Sequence, residues 1–532
     1  MEKMKITPIK LSVVTLAAMA GCTSNNKEEV KKPNVVLIYA DDIGIGDLAC
    51  YGDGIVPTPN VDSLAASGVR LTEAHTTSST STPSRFGLLT GQYPWRYRNT
   101  GIAAGDAGMI IKPQTYTVAD LVKSEGYTTG AVGKWHLGLG ETSKQDWNGV
   151  VTPNLSDIGF DYSYIMAATG DRVPCVFIEN GSVYNYDASA PIEVSYKKPF
   201  KGEPLGRTNP ELLTKLHPSH GHDQAIVNGV SRIGYMKGGG KALWKDEDIA
   251  DMITDKALEF IDNNQDNPFF LYFGTNDVHV PRVPNEKFAG KSGLGARGDA
   301  LLSFDYCVGR VLDKLEELGL TENTIVILSS DNGPVLDDGY KDRAVELNGD
   351  HRPWGDYRGG KYSSFEAGTR VPFIVKWPSH TTAGTVSDVD FSQIDLLASI
   401  ADAIGATIDT TAAPKLDSRS ALNTMLGKKI AEREYIIEHN SNNNVSILKD
   451  GWKFIPAFKG LAINKLTGIE LGNNPEDQLY NINEDINEQK NLAKQYPEKV
   501  AELRTLLNAE KAKGMQAIPV KGSVSDGAKK TK

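Results

Sequence analysis

The 532-residue chain carries 57 Lys and Arg against 67 Asp and Glu, a formal net charge of −10, with 40% hydrophobic and 23% charged residues. That composition is ordinary for a globular protein, and the length is ample for one large core with a smaller appended domain. The acidic balance excludes an overall basic field for nucleic acid, so an anionic substrate would need local cations or a metal.

At the amino end, Lys3, Lys5 and Lys10 precede Leu11–Ala20, an apolar run of ten residues, far short of the ~20 that span a bilayer. Residues 1–21 therefore predict a secretory signal. The Met-Ala-Gly-Cys ending at Cys22 resembles a bacterial lipobox. That implies a periplasmic, outer-membrane or surface-exposed lipoprotein of a Gram-negative bacterium, touching the membrane only through a lipid on Cys22. Residues 22–32 read as a polar, disordered linker, and Lys27-Glu28-Glu29 resembles the export tags of Bacteroidetes surface lipoproteins. The remaining cysteines, Cys50, Cys175 and Cys307, form no disulfide framework or metal motif and are expected as buried small hydrophobes.

From Pro33 onward, four short apolar runs read as buried parallel strands: Asn34–Ala40, Pro268–Phe273, Thr324–Leu328 and Val371–Lys376. Helical patterns lie between them, over Asp248–Asn263 and Ala300–Leu318. The alternation predicts an α/β domain over 33–384 with a mostly parallel sheet sandwiched by helices. From Thr385 the texture changes. A hairpin over Val445–Pro456, a strand near Leu479–Ile482 and a helix near Pro497–Lys513 predict a smaller antiparallel α+β subdomain over 385–515, followed by a disordered tail, 516–532.

Polar residues follow three of the strands closely: Asp41-Asp42, Asn276–His279 and Asp331-Asn332. Ligands of open α/β sheets bind beyond the carboxyl ends of strands, so these tips suggest one shared site. Adjacent carboxylates repel unless a cation lies between them, and such oxygen donors suit Ca2+ or Mg2+; the other reading is that they only cap turns. Gly44–Ala49 fits a Gly-x-Gly-x-x-Ala dinucleotide fingerprint, but Asp41, Asp42 and Asp47 would face a pyrophosphate and oppose that reading. Lys134 and Lys361, each beside glycines, and Arg85 could hold a tetrahedral oxyanion. His136 and His279 could exchange protons near neutral pH.

Ser81-Thr82-Pro83-Ser84-Arg85, followed by Leu88-Leu89-Thr90-Gly91, resembles the first signature of the type I sulfatases, and Gly126–His136 resembles the second. The resemblance extends from Pro33 to the Leu479–Leu492 stretch. It implies an alkaline-phosphatase-like fold and hydrolysis of sulfate monoesters, with glycans such as mucin or glycosaminoglycan sugars as the expected substrates. It further implies that Ser81 is oxidised to formylglycine by a serine-type sulfatase-maturating enzyme, with Asp41, Asp42, Asp331 and Asn332, together with residue 81, around a Ca2+. Arg85 and Lys134 would steady the hydrated aldehyde, Lys134 and Lys361 would hold sulfate oxygens, His279 would protonate the leaving alcohol, and His136 would take a proton during sulfate release. Asp171-Arg172-Val173-Pro174, the His217/His220/His222 cluster and His351-Arg352 are candidate walls of a sugar pocket. The competing readings are a phosphodiesterase or phosphonate monoester hydrolase of the same superfamily, and a catalytically silent glycan-binding protein with unmodified Ser81.

Overall fold

The computed structural model describes residues 31–413 and 416–514. The signal segment, Cys22 and the tail from 516 lie outside them. The centre is a ten-stranded sheet. Its five middle strands are β1 (Asn34–Ala40), β2 (Thr128–Lys134), β3 (Tyr162–Met166), β4 (Phe269–Gly274) and β5 (Thr324–Ser330). They lie in the spatial order β5-β1-β4-β2-β3, all parallel, with Val36 level with Leu271 on one side and Val326 on the other. Strands β1, β4 and β5 are buried throughout, which is why they read as continuous apolar runs rather than alternating ones.

The fourth run corrects an expectation. Strand β6 (Phe373–Lys376) is antiparallel to β5, with Phe373 level with Ser329. Residues 331–372 leave β5 at its carboxyl end and re-enter the sheet at that same end, so no crossover returns the chain and a parallel pairing is impossible.

Helices α1 (Ser81–Thr90), α2 (Ile249–Asn263), α3 (Gly295–Glu317) and α4 (Leu396–Ile404) belong to this large layer. On α2, Ile249, Ile253, Ala257, Phe260 and Ile261 are buried, the stripe expected of a helix packed on one face. Residues 385–404 still build this layer, because 385–387 pairs with 69–71 and α4 packs on α1. The smaller sheet begins only at Ile436, later than the change of texture at 385 suggests. It consists of β7 (Ile436–His439), β8 (Val445–Lys449), β9 (Trp452–Ile455) and β10 (Gln478–Asn481), all antiparallel, and α5 (Pro497–Ala512) packs against β8 and β9. Cys175 and Cys307 are buried as expected. Cys50 is only half-buried, in a turn where its N–H donates to Asp62.

Candidate active site

All five parallel strands deliver polar side chains at their carboxyl ends, where an open sheet binds ligands. Asp41 and Asp42 follow β1, Lys134 closes β2, Asp171 and Arg172 follow β3, His279 follows β4, and Asp331 and Asn332 follow β5. Two tight backbones aim them. Asp42 turns in the left-handed region, at φ 57°, and its N–H donates to Asp331 Oδ1 at 3.3 Å. Gly133, at φ 94°, lies so close to Gly274 O that a Cβ would stand 1.9 Å from it, so only glycine lets β2 reach Lys134 in this register.

Ser81 is the first residue of α1 and is 3% exposed. Pro83 is tolerated because amides of the first helical turn have no intrahelical acceptor, and Gly91 ends the helix in the left-handed conformation. Lys134 Nζ donates to Ser81 Oγ at 2.7 Å, and that hydroxyl lies 3.4 Å from both Asp41 Oδ1 and Asn332 Oδ1. Among the described residues the hydrogen-bond partners of Ser81 are Lys134, Asp41 and Asn332 and no imidazole, so the serine has no base of the Ser-His kind.

Lys134 also stands 2.5 Å from Asp41 Oδ1 and 3.4 Å from Asp331 Oδ2. Arg85 is fully buried. It donates through Nε and Nη2 to Asp331 Oδ2, at 3.0 and 2.8 Å, and through Nη1 to Tyr272 Oη at 2.5 Å. Arg85 therefore fixes Asp331 rather than contacting Ser81. On the other flank, Lys361 Nζ donates to Asp42 Oδ2 at 2.8 Å and Asp338 Oδ2 at 2.9 Å, while Tyr362 Oη donates to Asp338 Oδ1 at 2.9 Å.

These buried charges shift one another. Burial pushes the Asp41 carboxyl above its usual range, against the pull of Lys134 and His279. For Asp331 burial acts in the same sense, but Lys134 and Arg85 override it and hold the group far below the carboxylate range. Burial lowers the Lys134 ammonium although Asp331 and Asp41 favour its charge. Burial also opposes the charge on Lys361, where Asp338 and Asp42 win and raise it. Asp41 Oδ2 is buried with no hydrogen-bond partner, and ligand atoms of Asp41, Asp42 and His279 lie within 4.8 Å of one another. Three carboxylates, one of them with an orphaned oxygen, and an amide oxygen form an oxygen-rich donor set that fits a hard divalent cation, with the imidazole of His279 beside it.

Main-chain carbonyls set the tautomers of both histidines. His136 Nε2–H donates to Ala103 O at 3.0 Å, which leaves buried Nδ1 without a partner. Burial, Lys134 and Arg172 push His136 well below its usual pKa, so it is a neutral acceptor. His279 Nδ1–H donates to Val280 O at 2.7 Å, and its Nε2 lies 3.8 Å from Asp42 Oδ2.

A pocket opens over these groups, lined by Ser81, His136, His279 and Lys361 and walled by Asp171, Arg172, His222, Asp338 and Tyr362. Of the suggested sugar walls, Asp171, Arg172 and His222 are present. His222 Nδ1 donates to His220 O at 2.8 Å and Nε2 to Asp171 Oδ2 at 3.0 Å, so the ring carries both protons and fixes the carboxylate. His217 and His220 do not line the pocket, because their loop carries only His222 inward. His351 is instead a buried structural residue, donating to Asp47 at 3.0 Å and Asp53 at 3.1 Å, and Arg352 is exposed against Asp356. Asp47 is further held by both Nη atoms of Arg297 at 2.7 Å, which leaves the Gly44–Ala49 loop no phosphate-binding role. Sequence reasoning missed Asp338 and Tyr362. The only signal was an acidic pair, Asp337-Asp338, shortly after the β5 tip.

A sulfatase family model matches residues 33–406. An N-acetylgalactosamine-6-O-sulfatase of Bacteroides thetaiotaomicron is 53% identical over 502 residues, 94% of this chain and 98% of that protein. Human arylsulfatase A is 31% identical over 390 residues, 71% of this chain and 65% of its own. A solved structure from work on the metabolism of multiple glycosaminoglycans by Bacteroides thetaiotaomicron matches with TM-score 0.89 at 54% identity, covering 91% of this chain and 100% of the other. A structure in complex with its substrate D-glucosamine-2-N,6-O-disulfate matches with TM-score 0.58 at 18% identity, covering 91% and 98%, and carries the fold alone.

Proposed function

The chain belongs to the sulfatase family and is a sulfuric ester hydrolase, and from that premise we propose that it removes 6-O-sulfate from N-acetylgalactosamine units of glycosaminoglycans. The main support is 53% identity across 98% of a relative named for that activity. The pocket suits such a ligand, since the Arg172 guanidinium and the Asp171 carboxylate, which His222 holds in place, line it with a cationic donor and an acceptor for sugar hydroxyls.

Ser81 is proposed as the site of oxidation to formylglycine by a serine-type maturation enzyme, a reading supported by a buried serine that has an ammonium donor and, among the described residues, no imidazole partner. When present, that group supplies a nucleophilic hydroxyl and a second hydroxyl through which sulfate is released. Asp41, Asp42, Asp331 and Asn332 would hold Ca2+, which supplies Lewis-acid charge next to residue 81. The chain's own residues do the rest. Lys134 and Lys361 balance the sulfate charge, and Arg85 keeps Asp331 oriented. With its ring protonated on both nitrogens, His279 keeps the Nδ1 proton on Val280 O and gives the one on Nε2 to the leaving oxygen, and the bare Nδ1 of His136 receives one. Export and a lipid anchor on Cys22 remain part of this proposal, supported by the basic and apolar order of residues 1–22.

Sulfate release from 6-O-sulfated N-acetylgalactosamine, its 4-O-sulfated isomer and 6-O-sulfated N-acetylglucosamine tests the substrate. Preference for the first is expected, and equal or better release from either of the others overturns it. Peptide mass spectrometry of protein made with and without the maturation enzyme tests Ser81, whose peptide should lose two hydrogens only in its presence.

A further inference from the structure

A second pocket lies behind the loop that carries His279, between α2, α3 and Gly170. Its chemistry is one-sided. Asp246, Asn276 and Asp277 line it, and in each a buried side-chain oxygen has no hydrogen-bond partner: Asp246 Oδ1, Asn276 Oδ1 and Asp277 Oδ2. Asp246 and Asn276 are only 7% and 6% exposed. Among the described residues no lysine or arginine lines the pocket, and none of its orphaned side-chain atoms is a donor. Buried acceptors without donors are costly, and three on residues that line one cavity call for a ligand that offers only positive charge or hydrogens.

The charge of that ligand follows from what is already neutralised. Arg232 Nη2 pairs with Asp246 Oδ2 at 2.8 Å, and Lys215 Nζ pairs with Glu247 Oε2 at 2.6 Å. Asp277 has only neutral donors: Ser303 Oγ gives its hydrogen to Oδ1 at 2.7 Å, and Cys307 Sγ stands 4.0 Å from the same atom. One carboxylate charge is thus left without a counter-ion. The amino terminus of α2 also faces the pocket through Ile249 and Ala250, but the acidic run Asp246–Asp248 precedes it and offsets its positive end.

We propose that this pocket is a site for a monovalent alkali cation, K+ or Na+, held by Asp246 Oδ1, Asn276 Oδ1 and Asp277 Oδ2. A single positive charge balances Asp277, and a hard cation suits the three oxygens. Because Asn276 and Asp277 lie three and two residues before His279, the ion stabilises the loop that presents that imidazole.

The test uses the mature full-length protein with calcium held constant. Thermal unfolding is followed while KCl or NaCl replaces choline chloride at equal ionic strength, since a ligand that binds only the folded state raises its stability with concentration. A saturable rise in Tm with K+ or Na+ over choline is expected. It should vanish in Asp277→Asn and weaken in Asn276→Ala, while Asp255→Asn, an exposed acid outside the pocket, should keep it. Identical curves in the three salts mean that the oxygens hold only water and overturn the proposal, as does a full rise that survives in Asp277→Asn. Should Asp277→Asn fail to fold, Asn276→Ala and crystals soaked in a thallium(I) salt decide, because a heavy monovalent ion must then appear, or fail to appear, between Asp246 and Asn276.

Discussion

His136 and Arg172 show how one half-buried cation tunes another residue's proton. The ring donates to Ala103 O and holds Nδ1 bare, and burial with Lys134 and Arg172 disfavours its charge. A base whose pKa is lowered stays deprotonated as the medium acidifies. The acid limb of kcat should therefore fall below the ordinary imidazole value of about 6.5. Arg172→Gln should move that limb upward, because it removes one of the repelling cations. His136→Ala should lower kcat by about 10²–10⁴-fold with a smaller change in KM. A wild-type limb at the ordinary imidazole position would contradict the assignment. His351 behaves in the opposite way: burial opposes its charge, but the hydrogen bonds to Asp47 and Asp53 win and raise it. Its folded pKa exceeds the unfolded one, so its stabilisation is complete below about pH 6.5 and fades as pH rises through the folded value. His351→Gln should cost about 1.5–3 kcal/mol at the acid end and progressively less in alkali, read from unfolding curves across that range.

At the level of elements, α1 is held by the small sheet. The edge strand β7 continues onto residues 77–79, where His439 N–H donates to Thr77 O at 3.2 Å and Ser79 N–H donates to His439 O at 3.1 Å. On the other side Tyr362 N–H donates to Ser79 O at 2.8 Å, so the approach to Ser81 is hydrogen-bonded along both edges. Beneath β7, Lys453 Nζ donates to Glu366 Oε1 at 2.8 Å and stands 2.5 Å from Glu438 Oε1, all three side chains being buried. Lys453→Met takes the ammonium from Glu438 and leaves Glu366 with Arg370 alone, and should cost about 3–5 kcal/mol. Adding Glu438→Gln should recover part of that loss, and a double variant as unstable as the sum of the singles would exclude the charge explanation. None of this clamp was readable in the sequence, because a ladder between residues 77–79 and 439 leaves no local periodicity. The strand tips were readable, since Asp41, Asp42, Asp331 and Asn332 directly follow apolar runs. Strand β2 was not recognised as a strand, because Thr-Thr-Gly-Ala-Val-Gly-Lys lacks bulky β-formers. Packing explains that composition: a Cβ on Gly130 would stand 2.6 Å from the Phe260 ring. His222 and Asp338 reach the pocket from loops whose proximity no spacing encodes.

Over the whole molecule, the match to the sulfatase family model ends at residue 406, which suggests that 33–406 could stand alone. The packing argues otherwise. Tyr93 and Ile394 of the large layer share a core with Ile437, Phe454, Leu479, Leu503 and Leu507. Removing residues beyond 406 would expose that apolar face, which large monomer surfaces rarely tolerate. It would also take Lys453 from Glu366, which would keep Arg370 alone, Glu470 from Arg358, and Asp417 and Glu510 from Arg96, leaving buried or half-buried cations without their acids. Finally it would delete the His439 rungs beside Ser79, so residue 81 would lose its support even where the large sheet survived. A chain of residues 33–406 should therefore lack cooperative unfolding and release no sulfate, whereas residues 33–514 should keep both. Near-ultraviolet circular dichroism with sulfate release on both chains decides it: a shorter chain that unfolds cooperatively and turns over at the full rate would reduce the small sheet to an appendage.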